Sequence, residues 1–279
     1  MFYILYNPLS RSGKNPKLTK KIEKLMAKLN EQYRFVDVIE ISKMPLDFSS
    51  KLIQDDKVLL VGGDGTFHHF ANKFANINMG EAKIYLYRGG NGNDFGREFK
   101  EKLIDITDIL HNIPYYSIDG KKELFINCTG FGIDGEVCKM VNSSTVKTHG
   151  LNYFKSAASL FKMFNRYDLD VLVDGVRYRF KKVYFATVMN GKYFGGGMKL
   201  APDANRFDDE FELYIIHSVG PRKLLLLFPL ILIGKHMWAR GVGVSRIKGH
   251  SFKLEASTSQ TLETDGEVIE NVKEFIVSK

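Results

Sequence analysis

Four stretches of this 279-residue chain carry residue types and spacings that could do chemistry. The first is Gly62-Gly63-Asp64-Gly65-Thr66, directly after the apolar run Val58–Val61. Glycines between a strand and a helix start let the backbone turn sharply and come close to a ligand. The free N–H groups there favour an anion, most often a phosphate. Asp64 opposes that preference, because a carboxylate in a phosphate cradle repels the ligand unless it holds a metal or hydrogen-bonds a hydroxyl. The second stretch, Arg88-Gly89-Gly90-Asn91-Gly92-Asn93-Asp94-Phe95-Gly96-Arg97, is another glycine-rich turn after a strand-like run. Together the two turns would make a two-walled phosphate site. The third, Leu262-Glu263-Thr264-Asp265-Gly266-Glu267, puts Asp265 and Glu267 on one side of an extended segment, though Asp-Gly alone also reads as a hairpin turn. The fourth, Ala201–Phe211, gathers carboxylates ahead of a strand; on composition it is a solvated loop.

The elements that must position these residues change character along the chain. Residues 1–6 read as an apolar strand. Leu18, Ile22, Leu25, Met26 and Leu29 have helical spacing. A strand at Val36–Ile41, a short helix around 46–54, the strand into Gly62 and a helix with Phe67, Phe70, Ala71 and Phe74 on one face follow. Alternating strands and helices predict a three-layer α/β domain with a parallel sheet over 1–112. Ligands of such sheets sit at the carboxyl ends of the strands, which puts Asn7–Lys14 and Gly62–Thr66 on one edge. From about residue 113 strands follow strands: Leu124–Thr129, Leu169–Val173, Val176–Phe180, Val183–Met189, Phe211–Ser218 and Phe252–Ala256. With one helical insert at Leu151–Phe164, residues 113–279 read as an antiparallel β-rich domain.

Composition excludes little. Hydrophobic content of 44% and charged content of 26% suit a globular protein with a real core. A net charge of +8 suits an acidic partner without choosing among nucleotide, nucleic acid and anionic membrane. Cys128 and Cys138 form no metal pattern and fit a reducing cytoplasm. The start of the chain lacks a basic region and cleavage site and reads as a strand rather than a signal peptide. The apolar run after Arg222-Lys223 is too short to span a bilayer and contains Pro229. It reads either as a buried helix or, with cations at both ends and Trp238 at the rim, as a surface lying on a membrane.

The string Gly62–Thr66 resembles the nucleotide-binding signature of the diacylglycerol kinase catalytic domain and of the related NAD kinases and phosphofructokinases. Asn7-Pro8-Leu9-Ser10 resembles the Asn-Pro loop that opens the lipid kinases, with its glycine two residues late. Arg88–Arg97 is similar to Gly-Thr-x-Asn-Asp-Phe-Ala, with Asn91 in place of threonine and Gly96 in place of alanine; Asn93 and Asp94 match. His68 and His69 stand where the family has Asn and Glu, and read as polar-face residues near the ligand. The loop from Pro202 resembles one in which an aspartate and nearby carbonyls bind a structural Mg²⁺. The matching positions are the Asp208 carboxylate and the carbonyls of Asn205 and Glu210, with Asp209 replacing a glycine. Asp265-Gly266-Glu267 resembles the Asp-Gly-Glu of bacterial diacylglycerol kinase-like proteins. The resemblance makes Asp265 the general base and Glu267 its support.

The resemblance implies an ATP-dependent lipid kinase, with diacylglycerol the leading acceptor. Nucleotide contacts would come from Asn7, Pro8, Ser10, Gly62, Gly63, Asp64, Gly65, Thr66, Gly90, Asn91, Asn93 and Asp94. ATP and Mg²⁺ are the implied cofactors, and Asp64 would contribute to the metal's shell. The last strand would cross back to the first domain. A lipid at a membrane surface is the implied partner, with peripheral membrane contact, a cytoplasmic location, no nucleic acid, and a homodimer compatible with the reading. Two alternatives remain: an NAD kinase of the same clan, and a non-catalytic lipid- or nucleotide-binding regulator.

Overall fold

The computed structural model describes residues 1–7, 15–38, 44, 48, 52–53, 55–75, 77, 81–90, 92–143, 163–232, 234–236 and 243–279. The chain divides into two compact units, Met1–Ile113 and Pro114–Lys279.

The first unit holds a five-stranded sheet in the order β2-β1-β3-β4-β5. The strands are β1 (Phe2–Tyr6), β2 (Tyr33–Asp37), β3 (Lys57–Gly62), β4 (Lys83–Arg88) and β5 (Leu103–Asp105). The first four are parallel. β5 runs antiparallel to β4, so the sheet is mixed rather than wholly parallel. The reason is the connection. Among its described residues it makes a glycine turn and one 3₁₀ turn, Phe95–Glu98, without the crossover helix that a parallel return requires.

Helix α1 (Asn15–Leu29) packs Leu18, Ile22 and Met26 against Phe2, Ile4, Leu59 and Val61. Side chains alternate along a strand, so Val58 and Leu60, also fully buried, face the other side of β3. A strand buried on both faces is what four apolar residues in succession specify. Helix α2 (Asp64–Phe74) buries the expected Phe67, Phe70, Ala71 and Phe74. Helix α3 (Thr107–His111) follows β5. The second strand begins earlier than the pattern placed it, and the helix around 46–54 lies largely outside the described residues.

The second unit is antiparallel. Its described strands are β6 (Tyr115–Ile118), β7 (Lys121–Leu124), β8 (Cys128–Gly132), β9 (Tyr167–Val173), β10 (Val176–Met189), β11 (Phe211–His217), β12 (Val244–Gly249), β13 (Phe252–Thr264) and β14 (Glu267–Ser278). They form a nine-stranded sheet ordered β12-β11-β10-β8-β13-β14-β6-β7, with β9 also bonded to β10 and β13. The two expected strands of 176–189 are one, with a register shift between Phe180 and Val183 where Lys182 takes a φ of 54°. The expected strand Leu124–Thr129 is broken at Phe125–Asn127. The last strand does not return to the first unit's sheet: β14 pairs with β13 and β6, and its Val272, Phe275 and Val277 join the second unit's core.

Helix α4 (Ile133–Ser143) follows β8, and helix α5 (Pro221–Leu232) follows β11. The insert expected at 151–164 and Trp238 lie outside the described residues, apart from the insert's last two positions. Within α5, Leu224 is buried and Leu226 exposed, so the apolar run is neither wholly buried nor wholly exposed. Among the described residues no helix is long and apolar enough to cross a membrane.

Candidate functional site

Register sets the candidate residues of the first unit. Tyr6 pairs with Val61, Val61 with Tyr87, and Gly62 with Arg88. The chain therefore leaves β1 at Asn7, β3 at Gly63 and β4 at Gly89 along one edge, as the topology predicts. Pro8, Ser10 and Asn91 lie outside the described residues.

The two glycine turns close on each other through backbone. Both Gly89 and Gly90 donate their N–H to the Gly62 carbonyl, at 2.7 and 3.0 Å. A Cβ on Gly90 would stand 2.4 Å from the Gly63 Cα, and one on Gly63 would stand 2.9 Å from the Gly90 Cα. Neither position tolerates a side chain, which is the physical content of the paired glycines. Asn93, at a φ of 53°, accepts the Gly90 N–H on Oδ1 at 3.1 Å and donates from Nδ2 to the Gly90 carbonyl at 2.6 Å. Its side chain replaces a length of backbone ladder inside the turn.

Asp64 joins the turns. It opens α2, and its Oδ2 accepts the Asp94 N–H at 2.9 Å while Oδ1 accepts the Phe95 N–H at 2.8 Å. Each carboxylate oxygen accepts one backbone N–H, so Asp64 ties the start of α2 to the second glycine turn. Thr66 lies against Gly62, its Oγ1 only 2.2 Å from where a Gly62 Cβ would be. The histidines separate: His69 is exposed, but His68 is buried and lies beside Asn72 rather than on the polar face. Gly96 also finds its reason. Arg88 lies where a methyl group would be, its Cδ 2.3 Å from an added Cβ, and donates to the Gly96 carbonyl. The glycine makes room for an arginine that ties β4 to the 3₁₀ turn.

A second group of candidate residues lies in the second unit. Thr264 pairs with Glu267, and Asp265 and Gly266 have φ values of 49° and 95°. This is the two-residue hairpin turn that an Asp-Gly pair favours. The Asp265 carboxylate nonetheless reaches out of the turn. Its Oδ2 accepts the Ile126 N–H at 2.5 Å, and Oδ1 accepts those of Asn127 and Cys128 at 2.8 and 3.3 Å. Ile126 and Asn127 lie in the break between β7 and β8, and Cys128 opens β8. From the other side, buried Arg206 donates to the Ile126 carbonyl and to Asn127 Oδ1, at 3.1 and 3.2 Å. Glu267 is exposed on the far side of the turn.

Two acids that sequence reasoning missed lie behind this turn. Glu263 is 5% exposed; its Oε1 accepts the Gly266 N–H at 2.7 Å and its Oε2 receives the Cys128 thiol at 3.6 Å. Asp134, at the start of α4, accepts the Thr187 hydroxyl at 3.2 Å. Burial pushes the Asp134 carboxyl up to about 7. Burial first, and then the like charge of Asp134, push Glu263 well above the usual carboxylate range. Gly130-Phe131-Gly132-Ile133-Asp134-Gly135 was the available signal for Asp134, a third glycine-rich passage from strand to helix. Nothing local marks Arg206.

The carboxylate loop is held by contacts of its own. The Asn205 carbonyl accepts the Asp208 N–H at 3.2 Å, and Asp208 Oδ1 accepts the Glu210 N–H at 3.1 Å. The Asp208 carbonyl accepts the Lys279 ammonium, and the Glu210 carboxylate pairs with Lys248 at 2.8 Å. Among the described residues no group of three or more His, Cys, Asp or Glu side chains is arranged to hold a metal ion.

A mostly parallel α/β unit with glycine turns at its strand ends, followed by an antiparallel β unit with an acidic hairpin, has counterparts among known proteins. The diacylglycerol kinase catalytic domain matches residues 1–117, and the YegS C-terminal NAD kinase beta sandwich-like domain matches residues 127–275. The chain belongs to the diacylglycerol kinase-like family of lipid kinases. It is similar to the protein of Bacillus subtilis (strain 168) named "Putative lipid kinase YtlR", with 24% identity over 96% of this chain and 93% of that one. It is also similar to a protein of Mycobacterium tuberculosis named diacylglycerol kinase, with 24% identity over 88% of this chain and 82% of the other. The crystal structure of a diacylglycerol kinase from Bacillus anthracis str. Sterne shares the fold, with a TM-score of 0.68 at 21% identity, covering 100% of this chain and 94% of that one.

Proposed function

We propose that this chain transfers the γ-phosphate of ATP, supplied as its Mg²⁺ complex, to a lipid hydroxyl, and that diacylglycerol is the acceptor. The observation that carries the proposal is the closure of two glycine turns, Gly63 on Gly90, at the carboxyl edge of β1, β3 and β4. Backbone packed this tightly is preorganised, and preorganised N–H groups at a helix start are what a polyphosphate needs. In this reading Asn7, Gly62, Gly63, Gly65, Thr66, Gly90, Asn93 and Asp94, with Pro8, Ser10 and Asn91, form the nucleotide side. Asp64 holds that side rigid.

Phosphoryl transfer passes through a loose transition state and asks chiefly for positioning and charge stabilisation. A carboxylate fixed by three backbone N–H groups, as Asp265 is, suits the orienting of an acceptor hydroxyl. Glu267 supports it from across the turn. The names of the relatives support diacylglycerol as the acceptor. The exposed Leu226 of α5, near the exposed Arg222 and Lys223, supports peripheral docking on an anionic membrane.

The test is turnover of MgATP with diacylglycerol in mixed micelles by the wild-type protein and by Asp265→Ala. The expected result is phosphatidic acid from the wild type and at least a hundredfold less from the variant, with ATP binding retained. Near-normal turnover by Asp265→Ala removes that residue from the reaction, and no product from the wild type removes diacylglycerol as acceptor.

A further inference from the structure

The loop Ala201–Phe211 is rich in carboxylates, yet the chain answers them with its own cations. Arg246 on β12 pairs with Asp203 at 2.8 Å and with buried Glu212 at 2.6 Å. Lys248, also on β12, pairs with Glu210 at 2.8 Å and Glu212 at 3.4 Å. The hydrogen bond to Glu210 is the first cause of the raised pKa of the Lys248 ammonium. The third cation is Lys279. Its ammonium donates to the Asp208 carbonyl and pairs with Asp209 at 3.3 Å.

The position of Lys279 is informative. Its side chain is 17% exposed although it carries a full charge, so its hydrogen bonds to the loop offset lost hydration. It meets the turn at Asp208, the residue whose carboxylate was expected to hold a divalent ion. Asp209 replaces the glycine of the resembling motif and supplies the carboxylate that Lys279 pairs with. An ammonium on the Asp208 carbonyl also repels a divalent ion held a few ångströms away.

We propose that the Lys279 ammonium is the cation of this loop, in the role the family resemblance assigned to a structural Mg²⁺, and that the loop needs no divalent metal. The substitution is coherent. A lysine head and a hydrated metal both satisfy carbonyl and carboxylate oxygens, but the lysine is tethered and pays its ordering when the chain folds.

The experiment uses the full chain without nucleotide, so that Mg²⁺ cannot act through ATP. Thermal melting is followed in EDTA and in millimolar MgCl₂ for the wild type, Lys279→Met and Lys279→Arg. The expected wild-type melting temperature is the same in both buffers. Lys279→Met melts several degrees lower in EDTA, and Lys279→Arg, which keeps a cation, recovers most of that loss without metal. A wild type that gains several degrees in Mg²⁺ overturns the proposal, and so does a Lys279→Met protein that melts with the wild type in EDTA. If Lys279→Met gives no folded protein, Lys279→Arg and the wild type still decide the question by their response to EDTA.

Discussion

Replacing Asp64 by Asn tests whether this residue ties the glycine turns together. The wild-type carboxylate accepts two backbone N–H groups, from Asp94 and Phe95, at 2.9 and 2.8 Å. Asparagine has one oxygen to offer, and its NH₂ then faces the second N–H, donor against donor. One hydrogen bond to a charged group is lost, and one N–H is left unmet. Each such change costs about 1–3 kcal/mol. The negative charge at the start of α2 is lost too, which adds about 0.3–1 kcal/mol. Asp64 is half-buried, so water meets part of the deficit and the sum belongs near the lower end, ~2 kcal/mol. With a urea dependence of about 2 kcal/mol per molar, the unfolding midpoint falls by ~1 M. The assay is urea unfolding of Asp64→Asn followed by far-ultraviolet circular dichroism, with ATP affinity measured in parallel. A midpoint equal to that of the wild type would refute the tie. So would a loss of ATP binding with unchanged stability, which would point to direct contact with the ligand.

Three further outcomes follow from the geometry. Gly90→Ala places a methyl 2.4 Å from the Gly63 Cα and should part the turns, costing about 1–3 kcal/mol and weakening ATP binding at least tenfold by calorimetry. Gly65→Ala is its control: nothing lies within 4 Å of the added Cβ, the position is helical, and stability should hold or rise by about 0.5–1 kcal/mol. Asp134 keeps its proton in the folded state up to about pH 7 but loses it near pH 4 when unfolded, so the folded state binds more protons between these values and stability falls as pH rises through them. Asp134→Asn should flatten that decline, which urea midpoints at pH 5 and pH 7.5 would show; an equally steep decline in the variant would place the burden elsewhere.

Much of the first unit was legible because its signals are local. The apolar run before Gly62 and the helical spacing of Phe67, Phe70, Ala71 and Phe74 each specify an element by periodicity alone. The shared edge of Asn7, Gly63 and Gly89 follows from parallel topology. The antiparallel turn of β5 was not legible, because the decisive fact is what the connecting segment fails to form. In the second unit the Asp265 turn could be read from Asp-Gly, but not the reach of its carboxylate to Ile126, Asn127 and Cys128, more than a hundred positions away. The partners of the carboxylate loop were hidden for the same reason. Asp203, Asp208, Asp209 and Glu210 are visible as a charge cluster, whereas Arg246, Lys248 and Lys279 reach it only through β12 and the end of β14. The departures from the family motif were visible as departures, and two have physical partners: Gly96 with Arg88, and Asp209 with Lys279.

The most direct measurement of the central claim is transfer of labelled γ-phosphate from MgATP to a panel of lipid alcohols in mixed micelles. Diacylglycerol, phosphatidylglycerol, a sphingoid base and a polyprenol are compared, and NAD is supplied in a parallel reaction without lipid. The account predicts label in phosphatidic acid and none in NADP. Label in NADP alone, or in no acceptor while ATP is bound, would contradict it.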